Sequence, residues 1–443
     1  MPVKDTDFGW HYRCGEEFLN KKKLCLKNEF SYFLPDYKAS YSSFLFDVPL
    51  AFVYDHFGFT GLSISYSILM FFIGLLFINL ITGFMWTKIV AFWLMFFLSS
   101  AVFGLGLRVQ VVSYLFFLIT LFIIKKSEHQ SKYLLILPLV MFFWANTHLG
   151  FFVGLILLIF YIIEDLKKGL SPFKISILFL CFLTTLINPF GLNIYKEIYY
   201  HLLSPLNKMI AEWVEPVIWQ QGLIILLSII ALFKGLKTKS LTIFQLLLLI
   251  FFLYLGLSAR RNMAFFYTVF FYIYFDQNKV NLFQELNNIV YPLLICGIIF
   301  TFIAFMPQTN NFNQSWNIYC NQGLISYPCE AIKNYPKLSG NVYATYEWGG
   351  FLIWKKPKIK VFADGRMPAW HDENGKNPYQ VYLEIIQTQP GWNKKVNKLK
   401  TNYLLISNGT FLDLLLVKES KKYHWQEVYR DKTAVIYKNT MIN

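Results

Sequence analysis

The feature that most constrains this chain is a series of long apolar runs between residues 61 and 306. A helix needs roughly twenty apolar residues to cross a bilayer, where every backbone polar group has to be satisfied within the protein. Because 56% of the residues are hydrophobic and only 15% are charged, we expect a polytopic α-helical membrane protein of about ten spans. The predicted spans are 61–83, 86–106, 109–124, 133–147, 149–164, 174–191, 220–233, 241–257, 262–275 and 287–306.

The run from Tyr133 to Ile163 decides the orientation. It is too long for one ordinary span and contains the polar sequence 144–150, so we predict two short helices. With this split, the loop lysines fall on one side, which the positive-inside rule makes cytoplasmic. They are Lys88, Lys125, Lys126, Lys132, Lys167, Lys168, Lys174, Lys234, Lys237, Lys239 and Lys279. The net charge of +15 therefore fits membrane orientation and anionic lipid, and nucleic acid is not expected as a partner.

Three regions are predicted from this topology. Residues 1–60 form an extracytoplasmic loop with amphipathic interfacial helices at 7–22 and 42–57, separated by a break at Leu34-Pro35-Asp36. Residues 61–306 form the transmembrane domain. Residues 307–443 form an extracytoplasmic α/β domain, because alternating strand-like runs are interleaved with helical ones. The strands are expected at 341–345, 358–363, 402–407, 425–429 and 434–438, and the helices at 378–388 and 410–420.

Two cysteine pairs fall in the predicted external regions. Cys14 and Cys25 share the first loop, and Cys320 and Cys329 share the C-terminal region. In an oxidising compartment they form two disulfides, or else all four are unrelated free thiols, because nearness in sequence does not establish geometry. Cys181 and Cys296 lie within apolar runs.

Polar residues near the ends of the predicted spans fall on one side of the membrane, together with the acidic N-terminal segment. Ionisable groups near hydrocarbon are costly and usually face a wet cavity, so we predict one site at the extracytoplasmic surface. Its members are Asp5, Asp7, His11, Arg108, Asn146, His148, Asn188, Glu212, Trp213, Arg260 and Arg261.

These residues have distinct expected roles. Asp5 and Asp7 are candidates for a general base on an acceptor hydroxyl, or for ligands of a divalent cation. Arg260 and Arg261, with Arg108, match the oxygens of a lipid phosphate, and the alternative for the first two is snorkelling to headgroups.

The remaining polar residues are assigned to the cavity. Asn146 and His148 line it, although a packed and hydrogen-bonded His148 is favoured over a base. Asn188 ends a helix, and Glu212 with Trp213 is suited to bind a polar substrate.

In the C-terminal region, Asp364 and Arg366 follow a predicted strand. Charges at the carboxyl edge of a sheet often bind ligands, and a turn with a local ion pair is the favoured alternative. No glycine-rich phosphate loop, metal-spaced Cys/His cluster or nucleophile elbow is visible in the sequence, so neither a nucleotide-driven pump nor a soluble-type hydrolase is expected. No metal ligands are assigned, and the cofactor is left open, with a divalent cation as a candidate. The energy for group transfer would then arrive on a lipid-linked donor.

Several short motifs resemble those of a group of bacterial multi-spanning proteins related to the GT-C glycosyltransferases. The first is the first-loop motif D-x-D-F-G-W-H at residues 5–11. The others are Arg108-Val109-Gln110, residues 144–148 and 188–191, Glu212-Trp213, residues 259–262, Trp348-Gly349-Gly350 and Asp364-Gly365-Arg366. The family pattern expects a hydrophobic helix ahead of the first-loop acid, and this sequence shows none there.

The resemblance implies a GT-C-like membrane fold in a bacterial plasma membrane. It implies an inverting enzyme that moves a sugar from a polyprenyl-phosphate donor to an extracytoplasmic acceptor, with Asp5 or Asp7 as base and Arg260 or Arg261 on the donor phosphate. Two alternatives stay open: a flippase or transporter of a lipid-linked amphiphile, and an envelope assembly protein whose C-terminal region does the binding. No internal repeat favours the transporter.

Overall fold

The computed structural model describes residues 5–40, 42–167, 169–204, 209–210, 212–276, 320 and 326–442. These residues form two compact units. Within the described ranges, the first unit comprises 62–192 and 209–276, and the second comprises 5–61, 193–204, 320 and 326–442. The predicted span 287–306 and Cys296 lie outside the described residues.

Helix α2, Phe44–Leu80, contains one non-helical residue at Gly58, where φ is 59° and ψ is −154°. Glycine reaches this backbone conformation without the Cβ clash that other residues would suffer. The break confirms that the predicted helix 42–57 is separate from the predicted span 61–83.

Apolar helices occupy all nine predicted spans that lie in the described residues. The split of 133–163 is confirmed, because one helix ends at Ala145 and the next begins at Phe151. The helices are α3 (Met85–Leu98), α4 (Ser100–Phe103), α5 (Val109–Ser127), α6 (Leu137–Ala145, preceded by the 3₁₀ turn Ser131–Ile136), α7 (Phe151–Ile163), α8 (Pro172–Thr185), α10 (Ile218–Thr238), α11 (Ile243–Ser258) and α12 (Met263–Asp276).

Three helices among the described residues are long and apolar enough to cross a membrane, namely Phe44–Leu80, Val109–Ser127 and Ile218–Thr238. Four others are apolar but shorter: Met85–Leu98, Ser131–Ala145, Pro172–Thr185 and Ile243–Ser258. The long helices expose large apolar side chains on their outer faces, for example Phe71, Phe72 and Phe233. Apolar surface that continues over many helical turns is unfavourable in water, so the chain is a membrane protein. Several of its predicted spans are shorter than the roughly twenty residues that a spanning helix needs.

The second unit contains a five-stranded sheet of order β2-β1-β3-β5-β4. Strands β1, β2 and β3 run parallel, while β5 is antiparallel to both β3 and β4. All five predicted strands are confirmed, as β1 (Gly340–Ala344), β2 (Ile359–Val361), β3 (Tyr403–Ser407), β4 (Trp425–Arg430) and β5 (Ala434–Asn439). The helices are α1 (Phe8–Lys21), α9 (Asn193–Leu203), α13 (Cys329–Asn334), α14 (Gly349–Lys355), α15 (Pro378–Ile386), α16 (Trp392–Lys398) and α17 (Phe411–Glu419).

The first loop extends this sheet at its β2 edge. The Val361 N–H donates to the Phe30 carbonyl at 2.9 Å, and the Tyr32 N–H donates to the Val361 carbonyl at 3.1 Å. Ser31 Oγ donates to the Phe362 carbonyl at 2.8 Å. Aromatic side chains bury the junction, with the Phe33 and Phe362 ring centroids 4.9 Å apart. Residues of the first loop and the C-terminal region therefore share one core.

The four cysteines outside the apolar helices form two disulfides. Cys14 joins Cys25 across a Cα–Cα distance of 5.6 Å, and Cys320 joins Cys329 across 6.0 Å. Both distances lie in the usual range for this bond. Of the two alternatives that the sequence left open, the structure contains the disulfides.

Candidate functional site

Five of the predicted site residues come together in the first unit, and we call them the arginine cluster: Arg108, Glu212, Trp213, Arg260 and Arg261. Arg108 precedes α5 with an extended backbone, is buried, and donates from Nη1 to Glu212 Oε1 at 2.7 Å. The backbone holds the other members, because the Arg261 N–H donates to the Glu212 carbonyl at 3.2 Å. The Arg260 N–H likewise donates to the carbonyl of residue 214 at 3.0 Å.

The three arginines of the cluster differ in their surroundings. Arg108 is neutralised by Glu212, and the Arg261 guanidinium lies 3.9 Å from the centre of the Trp213 ring. Arg260 forms no ion pair with any acid in the described part of the chain, and its buried Nε has no hydrogen-bond partner there. Taken together, three guanidinium groups and one carboxylate leave the cluster with two net positive charges. A planar, weakly hydrated guanidinium in this position suits an oxyanion such as phosphate.

Asn146 and Asn188 are also in the first unit, where both satisfy backbone groups at helix ends. Asn146 Nδ2 donates to the carbonyls of Phe142 and Ile187, at 2.9 and 2.8 Å. Asn188 Oδ1 accepts from the Phe190 N–H at 2.7 Å, which closes a turn after α8. These bonds give both residues a role in holding the backbone, and contact with a substrate stays a prediction.

His148 belongs to a buried polar network of the same unit. Its Nδ1 accepts from the Gly150 N–H at 3.0 Å and lies 3.0 Å from Ser113 Oγ. Trp144 Nε1 donates to the same hydroxyl at 2.7 Å. An acceptor at Nδ1 requires a neutral ring with its proton on Nε2. This arrangement fits the packing role that the sequence favoured for His148.

Asp5 and Asp7 lie in the second unit, at the start of α1. Asp5 is 3% exposed, and its Oδ1 accepts from the Asp7 N–H at 3.2 Å. Its carbonyl accepts from the Phe8 N–H at 3.3 Å. Asp5 therefore shapes the turn into the helix, while Asp7 presents the more exposed carboxylate of the two.

The first-loop motif packs directly on two glycines of the C-terminal motifs. Gly365 lies against the Asp7 carboxylate, and Gly350 lies against the carbonyl of Thr6. The Gly350 carbonyl in turn lies against Gly9. A Cβ at any of the three glycines would overlap these oxygens, which explains why the motifs require glycine here. Short motifs far apart in sequence thus form one contact surface around Asp7.

Asp364 and Arg366 form a buried ion pair in the second unit. Arg366 Nε and Nη2 donate to the two carboxylate oxygens of Asp364, each at 2.7 Å, and Asp364 is fully buried. Nη2 also donates to Asn28 Oδ1 at 3.1 Å. This is the turn with a local ion pair that the sequence analysis gave as the alternative, and ligand binding by these two residues stays a prediction.

Two features near Asp7 were missed at the sequence level. His11 Nδ1 lies 2.5 Å from Asp47 Oδ1, and Ser43 Oγ donates to Asp47 Oδ2 at 2.8 Å, so a buried pair joins α1 to α2. The sequence signal for this pair was Asp47, an acid on the polar side of the predicted helix 42–57.

The second missed feature is Tyr346. Burial, reinforced by the carboxylates of Asp7 and Asp364, raises the pKa of Tyr346 well above its ordinary value.

Among the described residues, no group of three or more His, Cys, Asp or Glu side chains is arranged to hold a metal ion. Asp5 Oδ1 accepts a hydrogen bond from the Asp7 N–H, and this bond leaves the second carboxylate oxygen of Asp5 for other contacts. A divalent cation at these two acids stays a prediction.

No protein-family model matches the sequence, and no curated protein matches it. The fold is similar to that of the oligosaccharyltransferase of Archaeoglobus fulgidus. Against the apo form the TM-score is 0.53 at 11% identity, over 99% of this chain and 71% of that one. Against the form tethered to an acceptor peptide containing the NVT sequon it is 0.57 at 12% identity, over 99% and 70%.

A third similar structure is the archaeal oligosaccharyltransferase AglB from Archaeoglobus fulgidus in complex with an inhibitory peptide and a dolichol-phosphate. Here the TM-score is 0.54 at 12% identity, over 92% of this chain and 66% of that one. At such identity the likeness concerns the fold. The expected helical membrane fold with a C-terminal sheet domain is therefore similar to the fold of an oligosaccharyltransferase, and the GT-C relationship itself stays a prediction.

Proposed function

We propose that this chain is an inverting membrane glycosyltransferase that transfers a sugar from a polyprenyl-phosphate-linked donor to an extracytoplasmic acceptor. The observation that supports this most is the arginine cluster, in which three arginines from two distant segments meet one acid and one tryptophan. The similarity in fold to an oligosaccharyltransferase, solved in one case with dolichol-phosphate, agrees with a lipid-linked donor.

Arg260 is the residue to which we assign the donor phosphate. Its guanidinium makes no ion pair within the described ranges, so it can bind phosphate oxygens without first giving up a carboxylate. Arg108 and Arg261 add positive charge while Glu212 and Trp213 hold them in place. As the glycosidic bond breaks, negative charge grows on the leaving phosphate, and fixed guanidinium groups stabilise it.

Asp7 is the residue to which we assign the general base. It takes the proton of the acceptor hydroxyl as that oxygen attacks the anomeric carbon, and the bond from that carbon to the phosphate oxygen breaks. The lipid phosphate leaves with the bonding electrons, and one direct displacement inverts the anomeric configuration. General base catalysis of this kind contributes about 10²- to 10⁴-fold in rate. Asp5 accepts a hydrogen bond from the Asp7 N–H, and we assign to it the positioning of that residue.

The remaining assignments rest on topology. The lysine distribution supports a multi-pass protein of the bacterial plasma membrane whose first loop 1–60, the 192–219 loop and C-terminal domain 307–443 are extracytoplasmic. The transmembrane domain 61–306 then carries the donor site, and the C-terminal domain helps to place the acceptor.

The test is transfer or release of sugar from synthetic polyprenyl-phosphate donors by the purified full chain in lipid nanodiscs. Asp7→Asn should abolish turnover while donor binding survives, and Arg260→Ala should weaken donor binding. Arg260→Lys keeps the positive charge but removes the planar guanidinium, so its donor binding shows which of the two the phosphate requires. Asp36→Asn is the matched control, because Asp36 is an exposed acid of the same loop, paired with Lys27.

Each alternative function has its own outcome in this assay. Donor binding without turnover in the wild type, together with movement of the donor between leaflets, would replace the enzyme with a transporter. Absence of donor binding in the wild type would leave the fold without this function and favour an envelope assembly protein.

A further inference from the structure

Helix α9, Asn193–Leu203, is placed unusually in the chain. It belongs to the second unit, although the helices before and after it in sequence, α8 and α10, belong to the first. It begins only eight residues after α8 ends at Thr185. Since a chain spans at most about 3.3–3.6 Å per residue, α9 starts within roughly 30 Å of the end of an apolar helix.

One face of α9 is fixed within the second unit by polar contacts. Glu197 is buried, and its Oε2 accepts from the Ser40 N–H at 3.2 Å. Just beyond the helix, Ser204 Oγ donates to the Pro368 carbonyl at 2.6 Å. These contacts, made with the first loop and the C-terminal region, set the rotation of the helix about its axis.

The opposite face of α9 exposes apolar side chains. Tyr199 is 59% exposed, Leu202 60% and Leu203 62%. Their spacing of three and four residues places them in one stripe, and the exposed Lys196 lies one turn earlier on the same stripe. Hydrogen bonds hold the opposite face of α9 inward, so these exposed side chains point away from the core of the second unit.

We propose that the stripe formed by Lys196, Tyr199, Leu202 and Leu203 lies in the boundary between lipid headgroups and acyl chains. The helix then attaches the second unit to the bilayer surface, with lipid as the partner. Leucines enter the acyl region, the tyrosine ring lies at headgroup level, and the lysine ammonium meets an anionic phosphate. The short connection to α8 keeps the stripe beside the membrane, which favours lipid over a protein partner.

The experiment measures where the stripe lies in full-length protein in nanodiscs. A fluorophore sensitive to polarity is attached at Leu202→Cys in a Cys181→Ser, Cys296→Ser background. Quenching by nitroxide-labelled lipid is compared with quenching by aqueous iodide. Leu183→Cys on the apolar helix α8 and Lys394→Cys on α16, both exposed positions, give the lipid and water references.

The proposal expects the label at 202 to be quenched by lipid nitroxide as strongly as the label at 183, with little quenching by iodide. Lys196→Glu, an exposed change that leaves packing intact, should reduce the lipid quenching, and more so with anionic than with zwitterionic lipid. Iodide quenching equal to that at 394 would overturn the proposal. So would protection from both quenchers that depends on two copies per disc, since that result identifies a second copy of the chain. These outcomes do not depend on whether the protein transfers sugar.

Discussion

Replacing Arg366 with methionine is expected to destabilise the second unit severely. Methionine retains most of the apolar stem but removes the guanidinium that makes two hydrogen bonds of 2.7 Å to Asp364. Because Asp364 is fully buried, its carboxylate would then be uncompensated. Breaking a buried pair by deleting one partner costs about 3–5 kcal/mol. At about 2–4 °C per kcal/mol for a domain of this size, the unfolding temperature should fall by on the order of 10 °C.

Removing both charges should cost less than removing one. In the double variant Asp364→Asn, Arg366→Met, no buried charge is left without a partner, so most of the lost stability should return. The measurement is thermal unfolding of the purified full chain in detergent, followed by tryptophan fluorescence. Arg13→Met is the matched control, since Arg13 pairs with Glu16 and Glu17 near the surface, and exposed pairs contribute about 0–1 kcal/mol.

Two results would refute this reasoning. If Arg366→Met lowers the unfolding temperature no more than Arg13→Met, the pair does not hold the turn after β2. If the double variant is less stable than Arg366→Met alone, the cost arises from lost packing around the arginine stem and not from the uncompensated carboxylate.

Three further predictions concern other parts of the second unit. Gly365→Ala puts a methyl group where the Asp7 carboxylate lies, and a displacement of that carboxylate by about 1 Å should lower the rate of sugar transfer on the order of 10²-fold. The control is Gly222→Ala, which adds a methyl group in open space and should leave the rate unchanged. Equal rates in the two variants would contradict the assignment of Asp7 as the base. Replacing Cys14 and Cys25 by serine should lower the free energy of unfolding by about 2–4 kcal/mol, which is measured as a lower unfolding temperature under non-reducing conditions. An unfolding temperature equal to that of the wild type would show the bond to be dispensable. Burial raises the pKa of Glu197, so the folded protein holds its proton to higher pH than the unfolded chain does, and the contribution of Glu197 to stability should fall as pH rises above about 4.5. Because other carboxyl groups such as Asp413 have lowered pKa values, the quantity to measure is the difference in stability between the wild type and Glu197→Gln. This difference should shift in favour of the variant as pH rises, and a shift in favour of the wild type would show the sign to be wrong.

Much of the fold was predictable because its strongest signals are local. The five strands and the split at residues 144–150 follow from alternation and from polar interruptions of apolar runs. Helices Gly349–Lys355 and Trp392–Lys398 were missed. The first begins at two glycines that favour a turn in isolation, and both are short enough for tertiary packing to decide their conformation.

The candidate site was less predictable because its geometry depends on long-range pairing. Sequence reasoning grouped Arg108 with Glu212 only by membrane side, and their hydrogen bond joins positions 104 residues apart. It could not find the His11–Asp47 pair, which depends on how two helices pack. The predicted topology places the two sets of residues, one in each unit, at a common membrane surface, and this stays a prediction.

The edge of the sheet where Ser31 meets Phe362 has a consequence for how the protein is made. These partners are 331 residues apart, and every apolar helix of the first unit is synthesised between them. At about 5–20 residues per second, the first loop would wait roughly 20–60 s for its partner strand to emerge. Throughout that interval the aromatic residues around Ser31 have no core to enter. A newly made chain of this protein is therefore expected to need either the membrane surface or a chaperone to shield its first loop until translation ends.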